Sequence, residues 1–173
     1  MSKVSTVGVV GAGQMGNGIA PVCALAGCDV HLHDISGAAL SQGIATTAAN
    51  MTRQVARSII SPDEMSAAMA RIKPNTSLGA FNSVDLAIEA ATEKREVKES
   101  IFKAVCDAVP ANAYLATNTS SISITRLAAT TDRPEKFIGL HFMNPVPLMK
   151  LMEVIRGLAT DQQTYEMALG FAD

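Results

Sequence analysis

The feature that most narrows the folds open to this 173-residue chain is a β-branched run, Val4 to Val10, that ends in the glycine loop GAGQMG at residues 11–16. Each glycine answers a separate steric demand. Gly11 permits a tight turn out of the strand. Gly13 lets the backbone approach a pyrophosphate where a side chain would collide. Gly16 lets the next helix pack closely on the strand. The first turn of that helix, reached through Gln14 and Met15, presents unpaired N–H groups and a partial positive charge to an anion. The helix is expected over Gln14 to Ala26, closed by Gly27, with a kink at Pro21 where a hydrogen bond is lost. A strand from Asp29 to His33 follows, and Asp34 ends it 18 residues after Gly16. That carboxylate is placed to hydrogen-bond an adenosine ribose and would repel a 2′-phosphate, which favours NAD over NADP. Its competing reading is a helix cap, a task that Ser36 can perform instead.

Strands and helices alternate along the rest of the chain. Ser36 opens a long helix to about Ile60, with an apolar stripe of Leu40, Ile44, Met51, Val55 and Ile59. SPDE at 61–64 is a capping box that opens another helix, to about Ile72. The two read as a helical hairpin inserted into the winding of a sheet. Further strands are expected at Thr76–Leu78, Asp85–Glu89, Tyr114–Thr117, Phe137–His141 and Leu151–Ile155. Further helices are expected at Lys94–Val109, near Ser123–Ala129 and from residue 162. In the first of these, Val97, Ile101, Phe102 and Val105 should face inward. With 48% hydrophobic residues to fill a core, the pattern predicts an α/β, Rossmann-like, doubly wound and mostly parallel sheet with helices on both faces, one domain over residues 1–173.

Charge and composition remove other classes. The net charge is −2 with no basic run, which argues against a nucleic-acid partner. No apolar run reaches the roughly 18 to 20 residues of a membrane span. The N-terminus enters a strand almost at once, leaving no room for a targeting peptide, so a cytoplasmic location is expected. Three cysteines, an odd number without ligand spacing, read as reduced thiols rather than a metal site.

Near the end lies GLHFMNPVPLMKLMEVI, residues 139–155. His141 closes a strand, so it falls at the carboxyl edge where open α/β sheets bind ligands. Glu153 is the polar residue of an apolar strand, and a buried carboxylate needs a partner. The loop between them can fold back and set Glu153 against His141. A histidine held by a carboxylate suits general acid–base chemistry. Burial would lower its pKa and the carboxylate would raise it, leaving it usable near neutrality. A structural ion pair is the competing reading. TNTSS, residues 117–121, adds Asn118 and two serines at the same edge; chemistry alone does not separate Ser120 from Ser121. Glu93 and Lys98 could touch a cofactor, though their spacing equally suits solvated helix charges.

In order and spacing, GVVGAGQMGNGIA, EAATE, TNTSS and the run from Gly139 to Ile155 resemble the NAD-binding domain of the 3-hydroxyacyl-CoA dehydrogenases, with the nearest likeness to bacterial 3-hydroxybutyryl-CoA dehydrogenases. The resemblance implies NAD as cofactor and an acyl-CoA substrate, oxidised at its (S)-3-hydroxyl. It implies His141 as catalytic base, Glu153 as its partner and Ser120 as the substrate-binding serine. Asp34 takes the ribose position, Glu93, Lys98 and Asn118 fall at cofactor contacts, and Arg53 and Arg57 lie where coenzyme A approaches. The family continues into a C-terminal helical domain that dimerises, closes the cleft and supplies a catalytic asparagine. That domain is absent here, so weak or no turnover is expected of this chain alone. Two rivals are a non-catalytic dinucleotide-binding module and a β-hydroxyacid dehydrogenase. The latter uses a catalytic lysine motif that this sequence does not match.

Overall fold

The computed structural model describes residues 4–172. One seven-stranded sheet runs in the order β3-β2-β1-β4-β5-β6-β7. Its strands are β1 (Thr6–Val10), β2 (Asp29–His33), β3 (Ile72–Asn75), β4 (Leu86–Glu89), β5 (Tyr114–Thr117), β6 (Phe137–Phe142) and β7 (Met152–Arg156). The first six are parallel, and β7 pairs antiparallel with β6. The chain winds outward from β1 to β3, then crosses back to β4. That crossing makes β1/β4 the switch point where a crevice opens beyond the carboxyl ends.

Strand alternation feeds a core on each face. Val7, Val9, Leu86 and Ile88 pack with the helices α1 (Gly16–Leu25), α2 (Gly37–Ala56) and α3 (Pro62–Arg71) and with α6 (Gln162–Ala172). Ala87, Leu115 and Phe137 face the other way, toward α4 (Arg95–Ala108) and α5 (Ile124–Ala128). Phe102 and Phe137 meet edge to face at 4.8 Å; burying each side chain contributes about 2–3 kcal/mol.

The hairpin insertion forms as expected. Ser36 caps α2, and Ser61 with Glu64 closes the full capping box of α3. Several boundaries differ for local reasons. Helix α2 stops at Ala56 because Ser58 adopts a left-handed φ of 56°. The strand expected at Thr76–Leu78 lies earlier, at Ile72–Asn75, where exposed Lys73 and Pro74 on an edge strand conceal the signal. Residues Leu78–Phe81 instead form a 3-10 turn that buries Phe81. On α4, Val97 is exposed and the inward stripe is Lys98, Phe102 and Val105.

Helix α1 continues through Pro21. A proline cannot donate to the carbonyl four residues back. The buried Thr47 hydroxyl of α2 donates to that carbonyl, on Asn17, at 3.0 Å.

Candidate active site

The glycine loop behaves as steric reasoning requires. Gly11 has φ +103°, its N–H donates to the His33 carbonyl at 2.7 Å, and a Cβ there would lie 2.7 Å from Ala91 Cα. A Cβ on Gly16 would fall 1.7 Å from the Gly11 carbonyl oxygen. A Cβ on Gly13 would meet nothing within 4 Å, so the space before that backbone is open. The first helical bond runs from Asn17 N–H to the Gly13 carbonyl, leaving the N–H groups of Gln14, Met15 and Gly16 ahead of it. No acidic side chain occupies the first turn of α1. This open cradle of N–H groups at a helix start fits a pyrophosphate. Asp34 Oδ2 accepts the Ala12 N–H and Oδ1 accepts the Ser36 N–H, each at 2.9 Å. Both oxygens retain a lone pair for a ribose diol.

At the other end of the edge, the β6–β7 register sets His141 directly opposite Glu153. His141 Nδ1 lies 2.7 Å from Glu153 Oε2, and Nε2 lies 3.0 Å from Ser120 Oγ. The convergence expected of the pair is present, but the burial argument for Glu153 is corrected. Its side chain is 53% exposed, because β7 is an edge strand rather than core. Of the serines, Ser123 caps α5 and Ser121 binds Glu93, while Ser120 turns to the imidazole. Asn118 Oδ1 accepts the Phe142 N–H at 2.9 Å, tying β5 to β6 beside the histidine. The loop after β6 packs back on α1: a Cβ on Gly18 would lie 3.0 Å from Val146. Asn144 and Pro145 thus share a groove of about 610 Å³ with Gly13 and Gln14.

Glu93 and Lys98 are not free helix charges. Lys98 is fully buried, its Nζ 2.6 Å from Glu89 Oε2, 3.3 Å from the Asn118 carbonyl and 3.8 Å from Glu93 Oε2. Glu93 Oε1 gathers the next loop, accepting the Thr119 hydroxyl, the Ser120 N–H at 3.0 Å, and the Ser121 N–H and hydroxyl. Burial pushes the Glu93 carboxyl up. The Thr119 and Ser120 hydrogen bonds, the Lys98 charge and the Ser121 N–H outweigh it and hold the group below the ordinary glutamate range. Glu89, only 1% exposed, also accepts the Thr117 hydroxyl and the Ala91 N–H, each at 2.8 Å. Sequence reasoning passed over Glu89, although a carboxylate closing the buried strand LAIE is the same signal that singled out Glu153.

Arg53 and Arg57 are exposed on and just beyond the last turn of α2. They border a small cavity of about 170 Å³ with Pro147 and Leu148, which shares Asn50 and Pro145 with the larger groove. A larger cavity, about 750 Å³, lies elsewhere. Phe142 and Met152 line it, on the face of the β6–β7 ladder opposite His141.

Comparison with known proteins agrees with this geometry. A family model described as 3-hydroxyacyl-CoA dehydrogenase, NAD binding domain, matches residues 6–173. The chain is 53% identical to a 3-hydroxybutyryl-CoA dehydrogenase of Bradyrhizobium diazoefficiens over 97% of its own length and 57% of the relative's. It is 44% identical to a 3-hydroxyadipyl-CoA dehydrogenase of Escherichia coli, covering 96% of this chain and 35% of that one. A crystal structure of (S)-3-hydroxybutyryl-CoA dehydrogenase from Ralstonia eutropha superposes with a TM-score of 0.94 at 44% identity, over 99% of this chain and 62% of the other. The chain therefore spans from about a third to three-fifths of the length of these relatives. With a dinucleotide loop at the switch point and a family match over nearly every residue, the chain belongs to the NAD-binding domain family of the 3-hydroxyacyl-CoA dehydrogenases.

Proposed function

We propose that this chain is the cofactor-binding and acid–base half of an NAD-dependent dehydrogenase that oxidises an (S)-3-hydroxyacyl-CoA, of short chain such as 3-hydroxybutyryl-CoA, to the 3-oxoacyl-CoA. The observation that carries the reading is the line Ser120–His141–Glu153 at the carboxyl edge, joined to the glycine cradle by the loop after β6. Glu153 holds the proton on Nδ1, which leaves Nε2 as the basic atom. Nε2 takes the proton of the substrate hydroxyl while Ser120 Oγ steadies the same oxygen. The negative charge of Glu153 stabilises the imidazolium, and the proton returns from Nε2 in the reverse direction. NAD, when bound, accepts the hydride leaving C3. Gly11, Gly13, Gln14, Met15, Gly16 and Asp34 hold its adenosine and pyrophosphate, and Glu93, Lys98 and Asn118 shape the nicotinamide end. Arg53 and Arg57, beside the smaller cavity, receive the coenzyme A moiety.

The same reading gives the full-length protein a cytoplasmic location and a helical C-terminal domain that dimerises. The greater length of the relatives supports that second domain. Among the described residues, no helix is long and apolar enough to cross a membrane. The deciding assay is acetoacetyl-CoA-dependent loss of NADH absorbance, on this chain and on a protein extended to the relatives' length. Turnover by the extended protein that His141→Ala abolishes is the expected result; unchanged turnover in that variant overturns the assignment. The chain lacks tryptophan, so NADH fluorescence reports binding with little background. Binding without turnover in the extended protein would leave a non-catalytic dinucleotide module.

A further inference from the structure

We propose that Glu89 is a positioning residue: by neutralising Lys98 it leaves Glu93 free to hold the Thr119–Ser121 loop, and so sets the contact between Ser120 and His141. The inference rests on the roles given above to Ser120 and His141, but its own mechanics are geometric. Glu93 divides its two oxygens. Oε1 takes the hydroxyls of Thr119 and Ser121 and the N–H groups of Ser120 and Ser121, whereas Oε2 stands 3.8 Å from Lys98 Nζ. Lys98 does not draw Glu93 closer because Glu89 Oε2 already sits 2.6 Å from the ammonium in a fully buried pair. The Thr117 hydroxyl donates to the same oxygen and the Ala91 N–H to Oε1, which fixes that carboxylate. A buried cation that loses its partner must find another. Among the described residues, Glu93 is the remaining carboxylate within the ion-pair distance of Lys98. If Glu93 closes on Lys98, the hydrogen bonds that orient Ser120 open, and the serine hydroxyl leaves Nε2.

The chain has three histidines, so the imidazole Hε1 signals of His31, His33 and His141 can each be followed by NMR on the protein without substrate. Ser120→Ala supplies the reference position for His141 once the serine contact is gone. Glu89→Gln is expected to move the His141 signal, and its titration midpoint, most of the way to the Ser120→Ala values, with His31 and His33 unmoved. Glu89→Gln with Lys98→Met removes the attracting charge as well, and is expected to return His141 to the wild-type position. A role confined to stability would lower the melting temperature of Glu89→Gln without moving His141, and that outcome overturns the proposal. A double variant displaced as far as the single one overturns it too, because charge competition would then not be the cause. Should Glu89→Gln not fold, Glu89→Asp decides: it keeps the charge but withdraws it by one methylene. A partial shift in the same direction supports the proposal, and none overturns it. The measurement needs no turnover, so it stands apart from the dehydrogenase assay.

Discussion

Around the glycine loop, the site is defined by side chains that are missing: a Cβ at Gly16 would sit 1.7 Å from a carbonyl, and one at Gly13 would fill open space. Around His141, it is defined by side chains that must converge from β4, α4, β5, β6 and β7, residues far apart in the chain. The first end is local and rigid, written within two strands and a turn. The second is a network in which each group is placed by another, so a single loss there propagates. The two ends should therefore fail in different ways.

The largest separation is expected in chemistry. In a protein extended to the relatives' length, His141→Ala or Glu153→Gln should lower turnover by about 10²- to 10⁴-fold, the usual worth of general acid–base assistance, with NADH affinity nearly unchanged. Steady-state rates beside fluorescence titration check this. At the other end, Gly16→Ala and Gly13→Ala should divide binding from stability. The first overpacks backbone, costs about 3 kcal/mol and weakens NADH binding with it. The second meets no protein atom, so it should keep the melting temperature and still lose NADH affinity. Equal destabilisation in both would mean that the two glycines face the same steric limit.

A smaller change is expected from Asp34→Asn. If Asp34 accepts the ribose diol as proposed, losing that charged acceptor costs about 1.5–3 kcal/mol, on the order of 10-fold or more in NADH affinity, and relieves repulsion of a 2′-phosphate. NADPH should gain relative to NADH in competition titrations. The mildest effect concerns pH. The folded carboxyl of Glu93 lies below its unfolded value of about 4.3. Its contribution is thus complete above that pH and is lost as pH falls through the folded value. Because Glu93 is half-exposed, the loss is small. Melting temperatures taken between about pH 5 and pH 3 should fall less steeply in Glu93→Gln than in the wild type.

The difference between the ends also explains what could be read before coordinates. The glycine loop, Asp34 and the capping box of α3 depend on neighbours a few residues away, and their spacing discloses them. The antiparallel return of β7 was harder, since an apolar strand reads alike at an edge and in the core. His141 and Glu153 were brought together by chemistry and family likeness, not by periodicity. Lys98 shows the limit: on a helix a lysine reads as solvated, and only the fold reveals that it sits at 0% exposure against Glu89. The strand at Ile72–Asn75 escaped for a similar reason, its edge residues being polar or proline.

Pro21 and Thr47 carry a consequence for how this sequence can drift. The threonine hydroxyl serves a carbonyl that any other residue at position 21 would satisfy through its own amide. Replacing Thr47 with valine alone leaves a part-buried carbonyl without its hydrogen-bond donor. Replacing the proline with alanine first makes the hydroxyl redundant and the same valine harmless. Mutational order therefore matters: one route between the two sequences passes through a sound protein, the other through a damaged one.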